Sequence, residues 1–202
     1  NVQGKYWYDR QRERISRLAT HIRNRIYLER TSNDIARGCR INDLWGLQRE
    51  ALEKHSEHWA PASWEIVEKR WGGRVALAAR SGCQLSWRRH VPLLPHEKPI
   101  GNVLDKRVTV GLAGLQVELA GNDKAIEALT AADALLAARY AVNEMNGFPS
   151  WFSTLIAIHP EPCKTVFVQC IRAEWCFPPN QDDTHELMAD LSDLLTRSEQ
   201  LR

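Results

Sequence analysis

The sequence predicts an all-α fold, a helical bundle or irregular helical-repeat array that is a fragment of a larger chain. Two patterns lead there: nearly every apolar repeat has three-and-four spacing, and the strongest punctuation consists of helix caps and stops. Hydrophobic residues make up 44% and charged residues 26% of the 202 positions, the balance of an ordinary globular domain.

The first periodic stretch runs from 8 to 29, where Tyr8, Ile15, Leu18, Ala19, Ile22 and Ile26 fall on one helical stripe and Arg10, Arg14, Arg17 and Arg25 are placed opposite. Ser32, Asn33, Gly38 and Asn42 break the pattern between 31 and 46, predicting a connection with one short helical turn inside it. A second helix is expected over 47–59. A third restarts after Pro61 with Trp64, Val67 and Trp71, and Gly72-Gly73 interrupts it. The fourth, 75–90, carries Val75, Ala78, Ala79, Cys83 and Ser86 on its stripe, with Leu85 and Trp87 beside it.

Pro92, Pro95 and Pro99 then forbid helix. The expected division is therefore an N-terminal Trp/Arg-rich helical subdomain 1–90, a proline-rich loop 91–107 and a C-terminal helical subdomain 108–202. After the loop, 108–119 reads as a buried helix with Leu112, Leu115 and Leu119 on one face, while Gly111, Ala113 and Gly114 admit a close neighbour. Thr130 and Asp133 form a capping box that opens a helix to Met145, apolar nearly all round and so expected at the centre of a bundle. Asn146-Gly147 is its left-handed stop, and Pro149 marks the next start. From Pro160, the residues Cys163, Val166, Phe167, Cys170 and Ile171 share a stripe; 165–168 also suits a short strand, and helix is preferred. A last helix from about 183 places Leu187, Leu191, Leu194 and Leu195 inward and acids outward, with Asp182, Asp183 and Glu186 in its first turn.

The chain opens Asn1-Val2-Gln3-Gly4 without initiator methionine or apolar signal core, which reads as an interior cut. Every apolar run is short, so no membrane association is expected. Five scattered cysteines with no Cys-x-x-Cys suit reduced thiols in the cytoplasm. The net charge of +2 conceals a gradient, since ten Lys or Arg face four acids in residues 1–40 while the stretch after Asn180 is acidic.

Several constellations carry chemistry only weakly. Six of eight tryptophans precede the proline loop; they suit base stacking, but most sit beside apolar helical positions and read better as gap fillers. Arg10, Arg14, Arg17 and Arg25 are the candidate contact residues; they read first as a solvated face or one that docks on an acidic neighbour in the parent protein, with nucleic acid as the alternative. His55 and His58 supply two ligands where zinc needs three or four, and Cys163, Cys170, Cys176 and His185 converge only if the chain folds back tightly. No nucleophile elbow, phosphate-binding loop or dinucleotide fingerprint occurs, and Ser81-Gly82-Cys83 falls inside a helix. The expectation is no catalytic, cofactor-binding or metal-binding residue in this segment. A site in the proline loop near His90, His96 and Glu97 is the least favoured reading.

The stretch Ala138-Arg-Tyr-Ala-Val-Asn-Glu-Met-Asn-Gly-Phe-Pro-Ser-Trp-Phe152, with His159-Pro160-Glu161 after it, resembles a recurring helical region of very large, mostly uncharacterised bacterial proteins. Trp87-Arg-Arg-His90 and Gly111-Leu-Ala-Gly-Leu115 look like parts of the same region, and the resemblance spans about residues 60–175. Some of these proteins carry NACHT or STAND-like NTPase modules. The resemblance implies a scaffold, sensor or regulatory arm in anti-phage defence or signalling, with ATP bound elsewhere in the parent protein. Its implied partners are the parent's other domains or a second copy of the chain.

Overall fold

The computed structural model describes residues 2–52, 63–98, 105–144 and 147–176, with side chains described from Arg10 to Ala173 within these ranges. Helices account for all regular structure among them, in the order α1 (Val2–Arg30), α2 (Ser32–Ala36), α3 (Ile41–Glu50), α4 (Trp64–Trp71), α5 (Gly73–Trp87), α6 (Lys106–Leu119), α7 (Asp123–Glu127), α8 (Ala131–Ala141), α9 (Phe152–Ile158) and α10 (Pro160–Cys176). A 3-10 turn, Pro95–Glu97, lies between α5 and α6. The fold is all-α. The segment 165–168 belongs to α10, where Cys163, Val166 and Cys170 face inward as three-and-four spacing requires.

The centre is the pair α5 and α6. Gly114 of α6 lies against the backbone of Cys83, and Gly82 of α5 lies against the carbonyl of Ile35 in α2. A β-carbon at Gly114 or at Gly82 would stand 2.1 Å from the facing carbonyl oxygen. α5 thus meets two neighbours at glycines, α2 through its own Gly82 and α6 through Gly114 of that helix, and the apolar stripe of α5 fills the space around them. Two apolar clusters flank this pair. The first joins Leu28, Ile35, Leu44, Leu47, Trp64, Val67 and Trp71 to Val110 and Ala113. The second joins Trp87, Leu94, Leu112, Leu115 and Leu119 to the inner faces of α8, α9 and α10. Residues of α6 serve both clusters, because that helix is buried on nearly every side.

Local signals account for many element ends. The Thr130 hydroxyl accepts from the Asp133 amide at 3.1 Å, which caps α8 as predicted, and donates to the Asp133 carboxylate at 2.9 Å, so that carboxylate is held by the hydroxyl in place of the Thr130 amide that a full box would use. Asp105 and Asn122 cap α6 and α7 in the same manner, accepting from the amides of Arg107 and Ala125. Pro160 occupies the first position of α10, where its missing donor costs nothing.

Several expected boundaries are corrected. The second helix is α3, which begins at Ile41 and ends at Glu50 instead of covering 47–59; Asn42 sits in its first turn, where turn-forming residues are tolerated. α5 stops at Trp87, short of His90. α7 has five residues, too few for a period to show in the sequence. α8 ends at Ala141, not at Met145, so Gly147 is not its cap. Gly147 nevertheless has φ +85°, the left-handed conformation its position demanded. α9 starts at Phe152 and not at Pro149, whose carbonyl instead accepts from the Phe152 amide at 2.9 Å. Phe148 stacks on Phe152 at 4.9 Å and meets Phe167 edge-on, joining this corner to α10. The helices expected over 53–59 and from 183, and the Asn146 stop, lie outside the described residues.

Candidate functional site

α1 has 29 residues and is about 43 Å long, and it meets the body through contacts with α2, α4 and α5. Its contacting side is polar. His21 stacks on the Trp71 ring at 4.8 Å, Tyr27 donates to Asp43 at 3.1 Å, and Arg40 donates to both Asp43 and the Tyr27 hydroxyl. Leu28 is the buried apolar anchor.

The apolar stripe of α1 points the other way, which is the main departure from an ordinary amphipathic helix. Ile15, Leu18, Ile22 and Ile26 are 67%, 60%, 50% and 44% exposed. At about 100° per residue they occupy a sector turned roughly 120° or more from Leu28 and Asn24, so both faces cannot meet the body at once. Periodicity reveals that a stripe exists; only the packing of His21, Tyr27 and Leu28 decides that it faces outward. No signal in the sequence could have shown this.

The four candidate arginines divide. On the same helical geometry Arg14 and Arg25 flank the stripe, while Arg10 and Arg17 lie further round toward the contacting side, so the four do not form the single opposed face expected. Arg17 pairs with Glu13 at 3.3 Å and Arg25 with Glu29 at 3.1 Å, both on the surface. Arg17 also borders an open groove of about 370 Å³ between α1 and α4, with His21, Asn24, Arg70 and Trp71 on its walls.

The tryptophans serve the core. Trp64, Trp71, Trp87 and Trp151 are buried. The Trp71 indole donates to Glu50 at 2.6 Å and that of Trp87 to Glu118 at 2.9 Å. Trp45 is half-buried between the cations of Arg49 and Lys106, at 4.9 and 4.7 Å from its ring. None of these rings forms an open platform. The side chains of Trp7, Trp59 and Trp175 lie outside what is described.

The proline-rich stretch is a structural brace. Arg139 donates twice to the Pro92 carbonyl, at 3.1 and 2.9 Å, and once to the Glu97 carboxylate at 2.7 Å. One helical turn later Asn143 donates to the Leu93 carbonyl, and Tyr140 donates to that of His90. Glu97 also accepts from the Leu94 amide at 2.7 Å; that bond, with the nearby Arg139 cation, holds its carboxyl below the ordinary value of 4.5. His90 lies 3.4 Å from Asp105, yet burial outweighs that carboxylate and lowers its pKa below the ordinary imidazole value. His96 is exposed. Of the groups of the least favoured catalytic reading, Glu97 is thus committed to Leu94 and Arg139 and His90 lies beside Asp105.

Burial pushes the thiols of Cys83 and Cys163 up to about 12, while Cys39 is exposed, and these three form no disulfide. Among the described residues no three His, Cys, Asp or Glu side chains gather as a ligand set, and no helix is long and apolar enough to cross a membrane. Comparison of the chain with protein-family models, with curated proteins and with solved structures finds no match in any of the three.

Proposed function

We propose that this chain is a helical scaffold or regulatory segment of a large bacterial multidomain protein, acting by protein-to-protein contact through α1 and performing no chemistry of its own. The observation that carries the reading is the outward apolar stripe of Ile15, Leu18, Ile22 and Ile26, bordered by Arg14 and Arg25. Four aliphatic side chains in a row on the far side of a long helix expose a contiguous apolar surface, the signature of an interaction site. Flanking cations select an acidic partner and oppose a basic one. The resemblance of 138–152 and its neighbours adds the setting: a cytoplasmic defence or signalling protein whose STAND-like NTPase module binds ATP outside this segment.

Nucleic-acid binding through the same helix is the alternative. Its basis is the excess of arginine; against it stand the aliphatic stripe, useless for phosphate contact, and the ion pairs of Arg17 and Arg25.

A photo-crosslinking amino acid at position 18 or 22, in the reading frame that carries this chain, separates the two. Adducts mapped by mass spectrometry to an acidic face of another domain or another protein chain are the expected result. Adducts to nucleic acid, or none, would overturn the reading.

A further inference from the structure

We infer that the groove between α1 and α4 binds the phosphate group of a small phosphorylated molecule and, when filled, ties α1 to the body. The groove lies on the side of α1 turned away from the aliphatic stripe, so the inference goes beyond the docking reading and does not depend on it.

The wall of the groove is built from donors. α1 contributes the Ser16 and Thr20 hydroxyls, the Arg17 guanidinium, the His21 imidazole and the Asn24 amide along one face, and α4 contributes Arg70 and Trp71. Among the described residues no acidic side chain lines it. The side chains of Ser16, Thr20 and Asn24 have no protein hydrogen-bond partner among those residues either, which leaves their bonding capacity to whatever enters.

The two nearest acids compete weakly for the guanidiniums. Glu50 accepts from the Trp71 indole at 2.6 Å and stands 3.6 Å from Arg70, beyond hydrogen-bonding reach. Glu13 meets Arg17 at 3.3 Å in an exposed pair, an interaction of little strength. The floor, by contrast, is fixed. His21 stacks on the Trp71 ring at 4.8 Å, and the Arg70 cation lies 5.0 Å from the same ring, so both are positioned before a ligand arrives.

A phosphate monoester suits this wall better than a carboxylate. It brings three acceptor oxygens and about two negative charges, and guanidinium forks match its geometry. The volume of about 370 Å³ is that of a small-molecule site. A nucleic-acid strand fits less well. The second groove, of about 280 Å³, shares Asn24 and Trp71 with the first but carries Asp43 and Glu50, so the cationic wall does not continue as a backbone track. Among the described side chains of α1 only Leu28 is buried, and a ligand gripped from both helices would add an anchor two to three turns before it.

Amide NMR of the whole chain, titrated at fixed ionic strength with inorganic phosphate and with phenyl phosphate, tests this. Saturable shifts centred on residues 16–24 and on Arg70 and Trp71 are expected, with slower hydrogen exchange in 16–24 when phenyl phosphate is bound. Arg17→Gln/Arg70→Gln alters side chains that are 80% and 55% exposed, which leaves the fold intact, and should weaken binding at least about tenfold. Arg80→Gln/Arg172→Gln removes the same charge elsewhere on the surface and should change binding less than about twofold. Thr20→Val alters no charge and should weaken it about threefold or more. Absence of shifts in the groove overturns the proposal, as does equal loss in the two arginine variants, which would reduce the effect to general charge. Unchanged exchange in 16–24 on saturation overturns the clamping of α1. A single strand of about ten nucleotides is the third probe. If it shifts these amides and neither small phosphate does, the groove is a nucleic-acid contact and the proposal fails.

Discussion

Gly114 and Cys83 are in backbone contact: a β-carbon on Gly114 would stand 2.1 Å from the Cys83 carbonyl oxygen and 2.6 Å from its carbonyl carbon. A main chain inside a helix cannot swing aside as a flexible side chain can, so any residue larger than glycine must push α5 and α6 apart. Those two helices carry residues of both apolar clusters, and the displacement would loosen both.

Gly114→Ala is accordingly expected to cost about 2 kcal/mol or more of stability. Gly46→Ala is the matched control, because Gly46 lies in the exposed part of α3 with nothing within 4 Å of a β-carbon, and there alanine should stabilise by about 0.5–1 kcal/mol. Urea unfolding of both variants checks the pair; equal effects would be the wrong outcome.

At Gly147 the constraint is conformational and not steric. Its φ of +85° is unfavourable for any side chain, while the space around it is open. Gly147→Val should therefore destabilise by about 1–3 kcal/mol, whereas Cys39→Ser at an exposed site should be close to neutral. Thermal melts of the two variants give the comparison, and an unchanged Tm for Gly147→Val would count against this account.

The Glu97 brace should weaken in acid. The Leu94 amide bond and the Arg139 cation depress its folded pKa, so the stabilisation is complete above the ordinary value of 4.5 and is lost as pH falls through the depressed one. Glu97→Gln removes the titrating group. The variant should be less stable than the parent at neutral pH, and the difference should shrink below about pH 4.5. Unfolding curves from neutral pH downward test this; a gap that widens in acid would be contrary to it.

Thiol labelling should sort the cysteines by burial. Cys39 is exposed, whereas Cys83 and Cys163 are buried with thiols pushed up to about 12, so little thiolate forms at pH 8. Brief alkylation of the native protein followed by peptide mapping should modify Cys39 and spare both others until denaturant is added. Rapid native labelling of Cys83 would mean that α5 and α6 separate readily.

Local spacing and side-chain chemistry are enough to read the helical class, the Thr130 cap, the inward faces of α4, α5 and α10, the start of α10 at Pro160 and the left-handed turn at Gly147. Each depends on residues within one or two turns of each other, where spacing and side-chain chemistry act directly on the backbone. The close approach expected at Gly114 is borne out, and tertiary packing decided which backbones Gly114 and Gly82 admit, those of Cys83 and Ile35, and that Arg139, Tyr140 and Asn143 hold a stretch about fifty residues away in sequence. It also decided that the stripe of α1 faces outward. Periodicity marks a face but carries no record of what covers it, since that depends on contacts such as His21 on Trp71 between residues far apart in the chain.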